Sequence, residues 1–357
     1  MIETKRKILL IRADASTKVG TGHLMRCLAL AQAWQDAGGR TVFLMATAVP
    51  ALESRLHSEG MEVVHLSVKP GSIEDAAQTA DFAQEIGADW IVVDGYHFGA
   101  DYQRAIKERG LRLLFIDDNG YAEHYYADLV LNQNIHAHEG LYRSRESYTR
   151  LLLGTRYVLL RREFLKWRGW KREIPEVARK VLVMMGGSDP DNATLKVIQA
   201  LQQVDVDGLE AIVVVGAGNP HYKELQSAVQ DSRFPIRLET NVTNMPELMA
   251  WADVAISAGG VTIWELAFMG TPIIGLSRAE QEKMLLRHST QCGISVDLGR
   301  HCDIQPSEVA QVVIDLAYNR SQRLAMSQVG NSLIDGFGYE RVINSMEENN
   351  EECILEG

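Results

Sequence analysis

The residues best suited to chemistry lie in the stretch KVGTGHLMRCLALA, residues 18–31. Here His23 stands between a Gly-x-Gly turn (Gly20 and Gly22) and the first turn of an apolar helix. A histidine so placed has four readings: metal ligand, catalytic acid or base, phosphate contact, or helix-start residue. An imidazole titrates near ~6.5, so it takes or gives a proton close to neutral pH. Arg26 follows one helical turn on, and Asp14 sits just past the preceding apolar run. The glycines permit close backbone approach, and a helix start offers unpaired N–H groups to an anion. A zinc site would need partners, but no HxxxH or His/Cys cluster accompanies His23, and His136 and His138 lie in an unpatterned loop. The metal reading therefore ranks below the acid–base one. A dinucleotide fingerprint would want glycine where Met25 stands, and a P-loop would want Gly-Lys-Ser/Thr; neither is present.

Further polar groups follow other apolar runs. IVVDGYHF carries Asp94 and Tyr96, FIDDNG carries Asp117 and Asp118, and ADLVLNQN carries Asn132, Gln133 and Asn134. Carboxylates at such positions also cap the next helix or turn, and the amides suit sugar hydroxyls as well as an ordinary polar loop. The second half repeats strand, glycines and helix start three times. VLVMMGGSDPDNAT holds Gly186 and Gly187 before Asp189, Asn192 and Thr194, and VVVGAGNPHY holds Gly216. ISAGGVTIWELAFMGTPIIGL holds Gly259 and Gly260, then Thr262 and Glu265 one turn apart. Glycines let a diphosphate approach a helix N-terminus, a threonine can donate to a phosphate, and a glutamate can accept both hydroxyls of a ribose. Together the three loops favour a nucleotide site over turn chemistry alone.

These loops must be positioned by strands. KILLIR, TVFLMA, MEVVHL, WIVVD and LRLLFID read as buried strands. Between them run helical patterns such as Leu24, Leu28, Ala31 and Trp34 on one face. The alternation restarts after Arg179 with KVLVMMGG, LEAIVVVGAG, PIRLET, DVAISAGG and TPIIGL. Alternating strands and helices imply parallel, doubly wound α/β sheets. The expected organisation is a Rossmann-like domain at 1–162, a linker at 163–179 and a second Rossmann-like domain at 180–346, the two facing across a cleft. A last helix at about 321–346 and a frayed acidic tail at 347–357 complete it. A ligand should sit at the carboxyl ends of the strands.

At 357 residues, with 46% aliphatic, aromatic and cysteine content, the chain has enough apolar material for two cores. Its net charge of -11 gives no basic footprint for nucleic acid or an anionic membrane. Cys27, Cys292, Cys302 and Cys353 form no CxxC pair, and the opening apolar run Ile8 to Ile11 is too short for a signal or a span. Reduced thiols and a cytoplasmic location are the expectation.

At this point the motifs resemble a known family. Gly-Gly-x-Thr-x-x-Glu followed by Gly-x-Pro is similar to the nucleotide-binding element of GT-B enzymes such as MurG. RADASTKVGTGHLMRCLALA, VVDGY, IDDNG, DLVLNQN, LLLGTRYVLLRREF and MMGGSDPDNAT resemble the PseG family, with its spore-coat relative SpsG. Members hydrolyse UDP-2,4-diacetamido-2,4,6-trideoxy-β-L-altropyranose in pseudaminic acid synthesis. The resemblance implies a two-domain GT-B fold and metal-independent, inverting removal of UDP from a nucleotide sugar, with no cofactor. The family's catalytic histidine falls on His23, and Asp14 is expected to orient its imidazole or a hydroxyl. Gly20, Gly22, Arg26, Asp94, Tyr96 and Asn132 would then line the sugar side, with Arg26 either structural or neutralising charge. Gly186, Gly187, Gly216, Gly259, Gly260, Thr262, Glu265 and Gln281 would hold the nucleotide. NGYAEHYYAD after Asp118 and RAEQEKML around Gln281 depart from the family pattern, which leaves open the sugar and whether the base is uracil. Three rivals stay open: a glycosyltransferase on the same fold, an epimerase-hydrolase passing through a glycal, and a nucleotide-sugar-binding protein without catalysis.

Overall fold

The computed structural model describes residues 6–15 and 20–355, with side chains through residue 348. Residues 16–19 of the first loop and the Cys353 side chain thus lie outside the described residues. The chain divides into two compact units. Met1–Ala15, His23–Arg162 and Gly336–Gly357 form the first, and Ser16–Gly22 with Glu163–Asp335 form the second.

The first unit is built on seven parallel strands: β1 (Ile8–Ala13), β2 (Arg40–Met45), β3 (Glu62–His65), β4 (Trp90–Asp94), β5 (Leu113–Ile116), β6 (Leu129–Asn132) and β7 (Arg150–Leu153). Their order is β3-β2-β1-β4-β5-β6-β7, so the winding reverses between β1 and β4, which pair with Leu9 opposite Trp90 and Ala13 opposite Asp94. The helices α1 (Gly22–Asp36), α2 (Pro50–Ser58), α3 (Ile73–Ile86) and α4 (Ala100–Lys107) make crossovers, and a short α5 (Arg162–Leu165) begins at the last residue of this stretch and continues into the second unit. Leu24, Leu28, Ala31 and Trp34 of α1 are all buried, as their spacing requires. Each such leucine is worth about 1.5–3 kcal/mol of burial. One residue breaks the apolar rule of β1. Arg12 is wholly buried, and its guanidinium donates to Asp75 of α3 at 2.9 and 2.8 Å and to Asp14 at 2.7 Å. A buried cation survives only when its hydrogen-bonding groups are met in this way.

The second unit has six parallel strands: β8 (Lys180–Met184), β9 (Glu210–Val215), β10 (Ile236–Thr240), β11 (Val254–Ser257), β12 (Ile273–Ser277) and β13 (Ser295–Arg300). They are ordered β10-β9-β8-β11-β12-β13. Its helices are α6 (Ala193–Leu201), α7 (Tyr222–Gln230), α8 (Met245–Trp251), α9 (Thr262–Phe268), α10 (Glu280–Gln291), α11 (Pro306–Tyr318) and α12 (Arg320–Leu333). The segment expected as a linker is tied to this unit through Arg172. Its guanidinium donates to the carbonyls of Met249, Ala250, Ala252 and Met269 and to the Thr271 hydroxyl. Burial, only partly offset by the charge of Asp253, pulls its pKa down to about 10.

The single helix expected near 321–346 is two. After α12 the chain turns at Gly336, whose φ is +79°, and α13 (Gly338–Leu355) joins the first unit. The reason is apolar: Val342, Ile343 and Met346 complete the first unit's core. The acidic segment expected as a tail is helical as far as Leu355. Strands β7 and β13, short or only half-buried, escape the hydrophobic pattern. Among the described residues no helix is long and apolar enough to cross a membrane.

Candidate active site

In the first unit β1, β4 and β5 end side by side, and the winding reverses between β1 and β4. That is where an open parallel sheet leaves a crevice for a ligand. Asp94 closes β4, Asp117 and Asp118 follow β5, and α1 starts beside them with His23 and Arg26. A pocket here is lined by His23, Arg26, Asp94, Tyr96, Asp118 and Tyr121, among others.

His23 Nδ1 meets Asp94 Oδ1 at 2.6 Å. Arg26 grips the same carboxylate from the next turn, Nε to Oδ2 at 2.6 Å and Nη2 to Oδ1 at 2.7 Å. It also reaches Asp118 through Nη1 at 2.7 Å. Arg26 Nη2 lies 3.1 Å from His23 Nδ1; both are donors converging on one oxygen, not partners of each other. Burial alone would push Asp94 and Asp118 up. The Arg26 charge outweighs it, so both carboxyls titrate below their ordinary range and stay ionised. An ionised Asp94 can only accept, so Nδ1 of His23 carries a proton, and in the neutral imidazole the lone pair is then on Nε2. Arg26, Asp94 and Asp118 sum to one negative charge, against which a protonated imidazole would be balanced.

The Tyr96 ring stands edge-on to His23 with centroids 4.6 Å apart, and its hydroxyl donates to Asp118 at 3.3 Å. Burial first, then Asp118, drive the Tyr96 pKa well up, so the group is a neutral donor. Asn132 is wholly buried. Its Nδ2 donates to the Asp118 carbonyl at 2.9 Å and to the Tyr142 hydroxyl at 2.8 Å, while its Oδ1 accepts from the Asn134 backbone. With both ends taken, Asn132 positions the Asp118 loop rather than offering itself to a sugar. Asp117 is occupied too, receiving Tyr125 Oη at 2.5 Å and the backbone N–H groups of Asn119 and Gly120. Gly20 adopts φ +83°, the conformation expected of the turn, and Gly22 opens α1.

One expected role is corrected. The carboxylate on the His23 imidazole is Asp94, not Asp14. Asp14 is drawn instead to Arg12 and to the Ala46 and Thr47 backbone N–H groups at 2.7 and 3.1 Å, with His97 Nε2 3.6 Å away. The buried guanidinium of Arg12 is the physical reason. Sequence reasoning missed that pairing and the Asp118–Arg26 link. An arginine inside an otherwise apolar strand was the available signal for the first.

In the second unit the winding reverses between β8 and β11. The glycine loops there divide into two kinds. A Cβ on Gly216 would fall 2.3 Å from the Gly187 carbonyl oxygen, and one on Gly259 would fall 2.6 Å from the Glu282 carbonyl oxygen. These glycines serve close packing. Gly260 faces no atom within 4 Å of that position, so packing does not require it. The α6 N-terminus is filled from within, because Asp189 accepts from the Ala193 and Thr194 backbone, each at 2.9 Å. That carboxylate stands where a phosphate was expected, which leaves the β11–α9 loop as the candidate nucleotide cradle. Thr262 opens α9, Glu265 is buried one turn on, and Gln281 is exposed on α10. Gly186, at φ +86°, lies under the Arg278 guanidinium.

Comparison with known proteins agrees with this architecture. The glycosyltransferase family 28 C-terminal domain matches residues 181–288. Among solved structures, Acinetobacter baumannii MurG covers 96% of this chain and 100% of its own at TM-score 0.66 and 15% identity. Staphylococcus aureus MnaA, solved with UDP, covers 97% of both at TM-score 0.66 and 15% identity. The fold is of the GT-B class, with two doubly wound parallel-sheet units. Bacillus subtilis SpsG, a spore coat polysaccharide biosynthesis protein, is 28% identical over 93% of this chain and 95% of its own length. The Campylobacter jejuni UDP-2,4-diacetamido-2,4,6-trideoxy-β-L-altropyranose hydrolase is 26% identical over 68% of this chain and 81% of its own. A Methanocaldococcus jannaschii relative is 26% identical over 78% of this chain, which spans 57% of that protein's length. These likenesses support a PseG/SpsG kind of protein on a MurG-like fold.

Proposed function

We propose that the protein is a hydrolase that releases UDP from a UDP-activated amino-deoxy sugar, within nonulosonic acid or surface polysaccharide synthesis in the cytoplasm. The observation that carries this reading is the His23–Asp94 pair at a strand-end pocket, which turns Nδ1 to the carboxylate and, among the described residues, leaves Nε2 without a hydrogen-bond partner. His23 Nε2 takes a proton from water as the water oxygen bonds to the anomeric carbon. The bond from that carbon to the diphosphate oxygen breaks, and its electron pair leaves on UDP. The sugar emerges with inverted configuration. A general base so placed contributes about 10²–10⁴ in rate. Arg26 is a positioning residue, holding Asp94 and Asp118 in register beneath the imidazole. The nucleotide is assigned to the second unit, with Gly260 and Thr262 toward the diphosphate and Glu265 toward the ribose. Support comes from the similar Campylobacter hydrolase and from the UDP in the MnaA structure.

The family 28 glycosyltransferase match favours a second reading, transfer of the sugar to a hydroxyl acceptor. One experiment separates the two. A panel of UDP-sugars is followed by NMR without added acceptor. Hydrolysis predicts UDP release and an inverted free sugar from an amino-deoxy substrate. Intact substrate without acceptor, with turnover restored by one, would overturn hydrolysis.

A further inference from the structure

Arg278 is a cation of the second unit that the proposed reaction leaves without a role. It follows β12 directly, and its guanidinium reaches Gly186, which follows β8. A Cβ on Gly186 would fall 3.0 Å from Cζ and Nη2 and 3.1 Å from Nη1. In the sheet β11 lies between β8 and β12, so the side chain spans the β11 end, where Gly259 and Gly260 begin the loop to α9. That is the winding-reversal crevice, where open parallel sheets bind ligands.

Glu282 sets the orientation of the arginine. Its Oε1 accepts from Arg278 Nη2 and its Oε2 from the Arg278 backbone N–H, both at 2.7 Å. Arg278 Nε is buried and, among the described residues, has no hydrogen-bond partner. A guanidinium holds five N–H donors in a rigid fork that fits phosphate oxygens. A buried donor without an acceptor is costly, and an anion at this crevice would relieve that cost. The neighbouring anion position is already closed, because Asp189 fills the α6 N-terminus, whereas Gly260 opens onto free space.

We propose that Arg278 is a diphosphate-binding residue of the nucleotide site, oriented by Glu282, and that it makes the site select nucleoside diphosphates over monophosphates and nucleosides. This rests on the nucleotide reading above. The test is calorimetric titration of UDP, UMP and uridine into the full-length wild type, Arg278→Ala, Arg278→Lys and the double variant Arg278→Ala/Glu282→Gln, each checked for folding by thermal melting. The expected result is a loss in UDP affinity of roughly tenfold or more for Arg278→Ala, a smaller loss for UMP and none for uridine. Arg278→Lys should recover part of the loss. The double variant should stay weak, since the missing donor and not an unbalanced Glu282 would be the cause. Wild-type UDP affinity in Arg278→Ala, or equal losses for all three ligands, would overturn the assignment and leave the nucleotide reading standing. Full recovery in the double variant would do the same. Failure of the wild type to bind any nucleoside diphosphate would overturn both.

Discussion

The two units solve one problem, placing polar groups at the carboxyl ends of a parallel sheet, with different materials. The first uses side chains. His23, Arg26, Asp94 and Asp118 form a closed network of charges, each group held by at least one other. The second uses main chain: glycines at strand ends, helix starts and a single arginine laid over Gly186. A charge network fixes a proton at a stated atom, which suits bond breaking. Backbone lined with glycine offers close approach to a large ligand, which suits holding a nucleotide. On the proposed function, the conspicuous glycines and the conspicuous histidine belong to different tasks.

The strongest way to break this contrast is Asp94→Asn. An amide can donate to Nδ1 and so move the imidazole proton to Nε2, where the base is needed. Turnover should fall about 10²–10⁴-fold while UDP binding persists, as read by UDP release and calorimetry. Wild-type turnover would show that the network is only structural. Next is Arg26→Met, which strips two buried carboxylates of their counter-charge and should cost about 3–5 kcal/mol at neutral pH by denaturant unfolding. The sign of its pH dependence follows from the direction of the shifts. Asp94 and Asp118 titrate below their unfolded values near ~3.9, so their stabilisation is complete above that range and lost as pH falls through the folded values. The gap between wild type and Arg26→Met should therefore narrow in acid; a constant gap from pH 7 to 3 contradicts the pairing.

In the second unit the glycines can be sorted by the same logic. Gly216→Ala pushes a methyl group into the Gly187 carbonyl and should cost about 1–3 kcal/mol in stability. Gly260→Ala meets nothing and should change stability by less than about 0.5 kcal/mol, yet lower UDP affinity. Melting temperature and UDP titration on the two variants check this together. An inert Gly260→Ala would remove that loop from the nucleotide site.

Much of the fold was legible in the sequence, because branched apolar runs alternating with helical spacing leave little besides parallel α/β sheets. What the pattern could not carry was partnership at a distance. His23 and Asp94 are 71 residues apart and Arg12 and Asp75 are 63 apart. Asp14, nearer in sequence to His23, was the natural but wrong partner for it. The helix starts misled for a related reason, since sequence shows that Asp189 is present but not that it folds back onto its own helix. The return of α13 to the first unit depends on three apolar residues that any core could have accepted.

The central claim is that His23 is the base, and His23→Asn tests it most directly. An asparagine can still bond to Asp94 but has no basic nitrogen. Against the best substrate from the UDP-sugar panel, the account predicts UDP release lowered at least about 100-fold with UDP affinity and melting temperature retained. Turnover within a few-fold of wild type in a folded, UDP-binding His23→Asn protein would contradict it.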